Sequence, residues 1–143
     1  MKLATKYHGE VEIHDNEIIT FEKGIPGFEE EKNFVIIPYD NKSPFYILQS
    51  TKNEELAFIT VDIFTFYSDY YYDLSKNDIE LLQVSDPADV ITLGIVTVKE
   101  ELNNSTVNLY APLVINLNKK LGKQIILLES GFNVRTPLFV KST

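Results

Sequence analysis

The sequence contains no cysteine and no tryptophan, and it has only one methionine and two histidines. The absence of cysteine excludes disulfide bonds and thiolate metal sites, and it suits a reducing compartment. No stretch approaches the roughly 18 consecutive apolar residues that a membrane-spanning helix needs, and the polar N-terminus lacks the apolar core of a secretory signal. We therefore expect a cytoplasmic protein that does not enter a membrane.

Sequence motifs that would indicate an enzyme are also missing. The histidines, His8 and His14, lack the His-Glu-x-x-His spacing and the cysteine partners of a zinc site, and no Gly-x-Ser-x-Gly nucleophile elbow is present. The three adjacent glutamates at 29–31 could resemble a general acid/base pair, but neighbouring charges without burial usually form a solvated face. We predict a protein without enzymatic activity, metal or cofactor.

Positive charge is scarce in the first part of the chain. Residues 1–101 hold 20 of the 21 acids and 8 of the 13 bases, a net charge of −12, whereas residues 102–143 have a net charge of +4. Ordinary solubility charge is one explanation, and an acidic face that binds a basic protein is the other. Direct nucleic-acid binding is disfavoured, because phosphate contacts need a concentrated basic surface.

The residues that are abundant favour strands. The chain has nine Phe and eight Tyr among many Ile, Val and Thr, and these side chains fit a pleated, half-buried surface. No linker or repeat divides residues 1–143, which suits one domain. Alternating runs between turn signals predict about nine strands: 7–13 and 18–22 as an opening hairpin, 34–37 apolar on both faces, 45–51 and 56–61 as a hairpin, then 90–98, 106–110, 113–117 and 124–129.

The region 62–84 is the least regular part of the pattern. Tyr70, Tyr72 and Leu74 alternate as in a strand, whereas Ser75 resembles a helix N-cap that is followed by an acid, Asp78, at the third helical position. We predict one short helix here. Many short strands with only one or two short helices indicate a mostly β fold, a single small antiparallel barrel-like domain.

Two segments combine unusual residues. In Gly24-Ile25-Pro26-Gly27-Phe28, Pro26 suits the second position of a turn and Gly27 the third position, where φ is positive. This turn brings Ile25 and Phe28 together, either inside the core or at an interface. The segment 63–72 has more aromatic residues than one face of a strand can bury, so some rings should mark an interface, although core packing of about half of them is the alternative.

Four blocks occur in an order and spacing that resemble the FliW family of flagellar assembly factors: FEKGIPGFE (21–29), SPFYILQS (43–50), TVNLYAPLVIN (106–116) and QIILLESGFNVRTPL (124–138). The resemblance covers nearly the whole chain. It is looser between residues 62 and 78, because the family usually has a proline soon after an acid and this chain has Asp62-Ile63.

This resemblance implies a regulator with two protein partners. FliW proteins bind flagellin in the cytoplasm and, alternatively, bind CsrA, a small basic RNA-binding dimer that represses translation of flagellin mRNA. Flagellin that accumulates takes up FliW, and the released CsrA restores repression. An acidic surface of net charge −12 complements a basic partner of this kind. The other function that we consider is a β-barrel module for a small ligand or glycan.

The expected site residues follow from the two unusual segments and the four blocks. We expect the protein to be a monomer on its own, with a partner-binding set of Ile25, Phe28, Glu29, Glu30, Glu31, Phe64, Phe66 and Tyr70. The expected structural set consists of Gly24, Pro26, Gly27, Asn108, Pro112 and Asn116.

Overall fold

Seven strands close into a barrel in the computed structural model, which describes residues 1–138. In order around the ring they are β3 (Ile19–Thr20), β4 (Asn33–Pro38), β5 (Phe45–Ser50), β6 (Ala57–Asp62), β7 (Val90–Thr97), β9 (Leu113–Asn116) and β10 (Leu121–Gln124). Every neighbouring pair is antiparallel except β10 and β3, which close the ring through one parallel pair, Leu121 with Thr20. The predicted mostly β, barrel-like fold is confirmed.

The remaining elements lie outside this ring. The hairpin of β1 (Lys2–Thr5) and β2 (Gly9–Glu12) precedes it, and β8 (Thr106–Val107) and β11 (Thr136–Pro137) extend the sheet beyond one end of β7. The helices are α1 (Ile63–Phe66) and α2 (Lys76–Leu82), with 3₁₀ turns at Asp15–Glu17, Pro87–Asp89 and Leu102–Asn104. Within residues 1–138, neither the length nor the apolar character of any helix is sufficient to cross a membrane.

The barrel interior is filled by apolar side chains from alternate strand positions. Phe34 on β4 and Phe21 just after β3 are fully buried and meet edge to face, with ring centroids 5.5 Å apart. The same cluster contains Ile19, Ile25, Leu48, Leu93, Leu113 and Ile115. Each such buried side chain stabilises the fold by about 1.5–3 kcal/mol through removal of apolar surface from water.

The outer face of the barrel is also apolar, because three other elements cover it. Val35 packs under the β1–β2 hairpin against Leu3 and Ile13. Val61 and its neighbours pack under α1 and the aromatic segment that follows, and Val114 packs under α2. This double coverage explains why residues 34–37 are apolar at every position, as the prediction of a strand buried on both faces required.

The predicted opening hairpin of 7–13 with 18–22 is wrong. The opening hairpin is formed by β1 and β2, and its turn consists of residues 6–8. In this turn, Thr5 Oγ1 accepts a hydrogen bond from the His8 N–H at 3.0 Å and donates one to the Gly9 carbonyl at 2.7 Å. Gly9 has a φ of 63°, which suits a glycine that follows a three-residue loop. The chain then crosses from β2 through a 3₁₀ turn to β3, which pairs with β4.

Other boundaries differ in smaller ways. The β5–β6 hairpin, β7 and the Ser75 N-cap are confirmed, with Ser75 Oγ accepting from the Asp78 N–H at 3.1 Å. The predicted strand at 124–129 is wrong: β10 runs from Leu121 to Gln124, because the tight turn after β9 ends at Lys120, whose φ is 56°. Eleven strands are present in residues 1–138, and three of them, β3, β8 and β11, are only two residues long.

Candidate functional site: two exposed surfaces for protein binding

The first surface is the loop 22–32, which follows β3 and which we call the Phe28 loop. Phe28 and Ile25 form an isolated antiparallel bridge, and the Phe28 N–H donates to the Ile25 carbonyl at 2.7 Å. Gly27 has a φ of 90°, as the third position of this turn requires. The turn separates its two apolar side chains: Ile25 is 1% exposed in the core, whereas Phe28 is 43% exposed.

Phe28 lies over the barrel on one side and beside three glutamates on the other. Its ring meets Phe58 of β6 edge to face at 5.5 Å. Glu29 and Glu30 are exposed, and hydrogen bonds from the backbone N–H groups of Glu29 itself and of Gly27 lower the pKa of Glu29 below its ordinary value. The loop therefore presents an aromatic ring beside a carboxylate that is held in its charged form.

Glu31 differs from the two glutamates before it. Its Oε2 accepts from Ser50 Oγ at 3.0 Å, and the same Ser50 oxygen accepts from the backbone N–H groups of Lys52 and Asn53. Glu31 thus fastens the Phe28 loop to the turn between β5 and β6. Substitution of Glu31 would change the position of the loop as well as its charge.

The second surface surrounds α1 and the aromatic segment 63–72. Asp62 caps α1 by accepting from the Phe64 N–H at 3.0 Å, and Ile63 points into the core beside Gly94 of β7. A Cβ at Gly94 would lie 3.0 Å from the Ile63 side chain and 2.4 Å from that of Val107, so glycine allows α1 to lie close against the barrel. Phe64 is left 42% exposed on the opposite side of the turn.

The segment after α1 crosses the barrel without forming a strand, although its tyrosines alternate as in one. It is held by side chains: the Tyr70 hydroxyl donates to the Leu109 carbonyl at 2.7 Å, and the Tyr72 hydroxyl lies 2.6 Å from Thr92 Oγ1. Tyr70 also stacks on Phe132 with centroids 4.7 Å apart. Burial raises the pKa of the Tyr70 phenol above its ordinary value, and neighbouring Tyr72 raises it further.

A groove of about 570 Å³ lies between this segment and α2. We call it the α2 groove, and its lining is mainly apolar: Phe64, Tyr72, Asp73, Leu74, Ile79, Val84, Ser85, Pro87, Val90 and Thr92. Ile79 is 40% exposed although it stands on a helix whose Leu82 is fully buried. An amphipathic partner could cover these exposed apolar side chains.

The chain around the α2 groove is strongly acidic. Residues 62–89 contain seven acids and one base. One of the acids, Asp78, is neutralised from outside the segment by Lys123 of β10, with 2.6 Å between Nζ and Oδ1. The remaining charge favours a partner that carries basic residues beside its apolar ones.

Asn116 fixes the far end of the helix that forms one wall of the α2 groove. It is fully buried, and its Nδ2 donates to the carbonyls of Leu82 at 2.8 Å and Gln83 at 3.1 Å. Its Oδ1 accepts from the N–H groups of Asn118 and Lys119 in the turn after β9. The Asn116 side chain thus hydrogen-bonds the carbonyls at the C-terminal end of α2 and also the backbone N–H groups of the turn between β9 and β10.

The other expected structural residues also lie in turns and buried positions. Asn108 Oδ1 accepts from the N–H groups of Tyr110 and Ala111, and the carbonyl of buried Pro112 accepts from Ile125 at 2.9 Å. At Gly24, where φ is 68°, a Cβ would lie 2.6 Å from the Glu29 backbone. Pro26 is exposed at the tip of the Phe28 loop.

The expected partner-binding residues divide between surface and core. The aromatic segment buries Tyr70 to 5% exposure and leaves Phe66 half-buried, and Ile25 lies in the barrel. Ile25 and Tyr70 are therefore buried in this structure, and a partner-binding role for either of them stays a prediction. Ile79 and Val90 were not predicted as site residues. The spacing of Ile79 and Leu82 could have indicated a helix with apolar side chains directed both to the core and to the surface.

These features define a class of protein: a small, mostly β domain with a filled barrel, whose exposed features are an acidic aromatic loop and an acidic apolar groove. Within residues 1–138 no cluster of His, Cys, Asp or Glu could hold a metal ion. Such a surface suits the binding of other proteins.

Comparison with known proteins identifies the family. The FliW protein family model matches residues 2–138, so the chain belongs to the FliW family. The flagellar assembly factor FliW of Bacillus licheniformis is 45% identical over 138 residues, with 96% of each chain covered. That of Bacillus subtilis is 44% identical over 138 residues, with the same coverage. A crystal structure of the flagellar assembly factor FliW is 43% identical, covers 100% of both chains and superposes with a TM-score of 0.94.

Proposed function

We propose that this chain is a cytoplasmic flagellar assembly factor without enzymatic activity that binds flagellin and, alternatively, binds CsrA. In the CsrA complex it antagonises repression of flagellin mRNA translation. The observation that carries this proposal is the full-length match to relatives named flagellar assembly factors, which includes a TM-score of 0.94. A role in flagellar assembly, which the names of those relatives state, makes flagellin a natural partner.

The Phe28 loop is our proposed contact for CsrA. Exposed Glu29 and Glu30 stand beside the exposed ring of Phe28, so a basic partner would meet charge and an apolar anchor together. Charge complementarity raises association rates and would also repel RNA phosphates from a docked complex. The Phe28 loop contributes no residue to the lining of the α2 groove.

The α2 groove is our proposed contact for flagellin. Unassembled flagellin is expected to offer helical, apolar terminal segments, and helix-in-groove docking uses apolar side chains spaced along one helix face. Phe64 and Ile79 provide exposed apolar contacts on opposite walls. Phe66 is half-buried beneath this surface, so we propose that it supports the groove rather than the partner directly.

The two binding events must oppose each other for a partner switch. Thermodynamic linkage requires that flagellin weakens CsrA binding by the same factor by which CsrA weakens flagellin binding. A coupling of about 1–3 kcal/mol, roughly 5–150-fold, is usual for separate sites, whereas overlapping sites would exclude each other.

The test is a titration of the preformed complex with CsrA by purified monomeric flagellin, following released CsrA through its recovered RNA binding. Phe64→Ala should weaken flagellin binding, whereas Tyr7→Ala, which removes a ring of the same 42% exposure elsewhere, should not. A stable complex of all three proteins with unchanged affinities would refute the partner switch.

A module for a small ligand or glycan is the second candidate. It is favoured only by an almost wholly apolar hollow of about 370 Å³ beside the β1–β2 turn, lined by Tyr7, Tyr39, Ser43, Phe45, Ile59 and Val98. The barrel interior is instead filled by buried apolar side chains such as Phe21, Phe34 and Leu48. A rise in the melting temperature on addition of a small molecule would favour this function, provided that the rise is absent in Tyr39→Ala.

A further inference from the structure

The chain after β10 continues the antiparallel ladder on one side only. The N–H of Ile125 donates to the Pro112 carbonyl and the N–H of Leu127 to the Tyr110 carbonyl, each at 2.9 Å. These alternate bonds place the N–H groups of Ile126 and Leu128 on the opposite edge. Neither of those N–H groups has a hydrogen-bond partner within residues 1–138.

This edge is also apolar and exposed. Ile125 is buried under α2, whereas Ile126 is 52% exposed and Leu128 is 75% exposed. The residues 125–128 carry no charge and no proline. Natural sheets usually protect such an edge with charges, prolines or bulges, because unpaired backbone groups beside apolar side chains recruit another strand.

An acidic hollow of about 470 Å³ adjoins the edge. It is lined by Asp69, Tyr71, Tyr72, Asp73, Leu127, Leu128, Ser130 and Phe132. Tyr71, at 69% exposure, is the most exposed of its aromatic rings, and the Tyr71 hydroxyl donates to Asp73 Oδ1 at 2.6 Å. The hollow thus combines apolar walls with two carboxylates next to Leu128.

We propose that residues 124–128, the open edge, bind an extended segment of a basic partner protein by strand addition. The unpaired N–H groups require an extended backbone, because a helix has no row of free carbonyls to offer them. Leu128 and Tyr71 would contact an apolar side chain of that segment, and Asp69 and Asp73 would attract a neighbouring lysine or arginine. A second copy of this chain is a poorer occupant, since each copy has a net charge of −8.

This surface is independent of the partner switch. It shares Tyr72 and Asp73 with the α2 groove, but its other lining residues are different, and it requires neither flagellin nor CsrA as the partner. Loss of the partner switch would therefore leave this proposal intact, and the reverse is also true.

Amide hydrogen exchange, followed by NMR on the full chain at low concentration, tests whether the edge is free. The amides of Ile126 and Leu128 should exchange rapidly, while those of Ile125 and Leu127 should be protected by their bonds to Pro112 and Tyr110. Protection of Ile126 and Leu128 in the dilute protein would overturn the proposal, because the chain would then cover its own edge. Protection that appears only with rising concentration, together with a doubled mass, would identify a second copy as the occupant and would equally overturn it.

The partner chemistry is tested with a blocked synthetic peptide of alternating lysine and valine, six residues long. At about nine times its Kd, exchange of the Ile126 and Leu128 amides should slow about tenfold. A peptide of alternating glutamate and valine, and a lysine peptide N-methylated at every residue, serve as controls for charge and for backbone pairing. Equal protection by either control, or no protection at millimolar lysine peptide, would refute strand addition by a basic segment.

Three substitutions make the test specific to the edge. Ile126→Pro removes a donor that bonds to nothing in residues 1–138, so the fold should persist while protection of Leu128 by the peptide is lost. Ile126→Val keeps both the donor and the apolar surface and should bind like the parent. Leu128→Lys changes only an exposed side chain and should weaken binding at least tenfold; unchanged binding in this variant would count against the site even if Ile126→Pro misfolds.

Discussion

Gly24 and Gly9 offer a matched pair of substitutions that separates backbone strain from steric collision. Their φ values are 68° and 63°, so alanine at either position adopts nearly the same left-handed conformation. A Cβ at Gly9 meets nothing within 4 Å, whereas a Cβ at Gly24 lies 2.6 Å from the Cα and carbonyl oxygen of Glu29. These are backbone atoms, which a side-chain rotation cannot move away.

The expected magnitudes follow from these contacts. Left-handed backbone disfavours an L-residue by about 1–2 kcal/mol, and this is the whole effect expected of Gly9→Ala. The collision at Gly24 should add about 1–3 kcal/mol, the usual range for overpacking, since the Phe28 loop must shift. A Cβ at Gly27, where φ is 90°, would have no neighbour within 4 Å, so Gly27→Ala should lose about as much unfolding free energy as Gly9→Ala. Gly27→Val should lose more, because valine is branched at Cβ.

Urea unfolding of the three alanine variants measures these differences directly. Gly24→Ala should lose more unfolding free energy than Gly9→Ala, and association with CsrA should also slow, because Glu29 moves with the loop. If Gly24→Ala is no less stable than Gly9→Ala, Gly24 does not approach Glu29 as closely as described, and this contact does not hold the Phe28 loop in place.

Three further predictions concern charge, the α2 anchor and pH. Glu29→Gln combined with Glu30→Gln should lower the association rate with CsrA more than it raises dissociation, and the difference should shrink at high salt, as stopped-flow measurements can check. Asn116→Ala should lose about 2–4 kcal/mol of unfolding free energy in urea, because four backbone groups lose their partner, although water can reach those in the turn. Folding raises the pKa of Tyr70, so its contribution to stability is complete below pH 10 and is lost as the pH rises above that value. The stability of Tyr70→Phe should therefore decline less between pH 9 and 11 than that of the parent, and equal slopes would contradict this assignment.

The sequence predicted best where local chemistry alone decides the structure. Ser75 caps α2 because its hydroxyl reaches an N–H three residues away, and the proline and glycine of the Phe28 loop determine its turn. Residues 34–37 were recognisable as a strand covered on both faces because every position is apolar. None of these features depends on a distant part of the chain.

The predictions failed where distant residues decide the structure. Tyr70 and Tyr72 alternate as in a strand, yet hydroxyl contacts with Leu109 and Thr92 hold them across the outside of the barrel instead. The β1–β2 turn depends on the Thr5 side chain and on Gly9, and no Asn-Gly pair marked it. The division of exposed and buried aromatic rings, and hence the candidate site, could not be read from the local pattern.

The parallel pair of Leu121 with Thr20 has a consequence for synthesis on the ribosome. The two residues are about 100 positions apart in the chain, so the ring stays open until most of the protein has been made. Asn116, which holds the wall of the α2 groove, also belongs to this late part. A nascent or truncated chain that ends before β9 therefore lacks both the closure of the ring and the anchor of α2. Under the partner switch proposed above, the amount of active binder would therefore be set by completed chains alone.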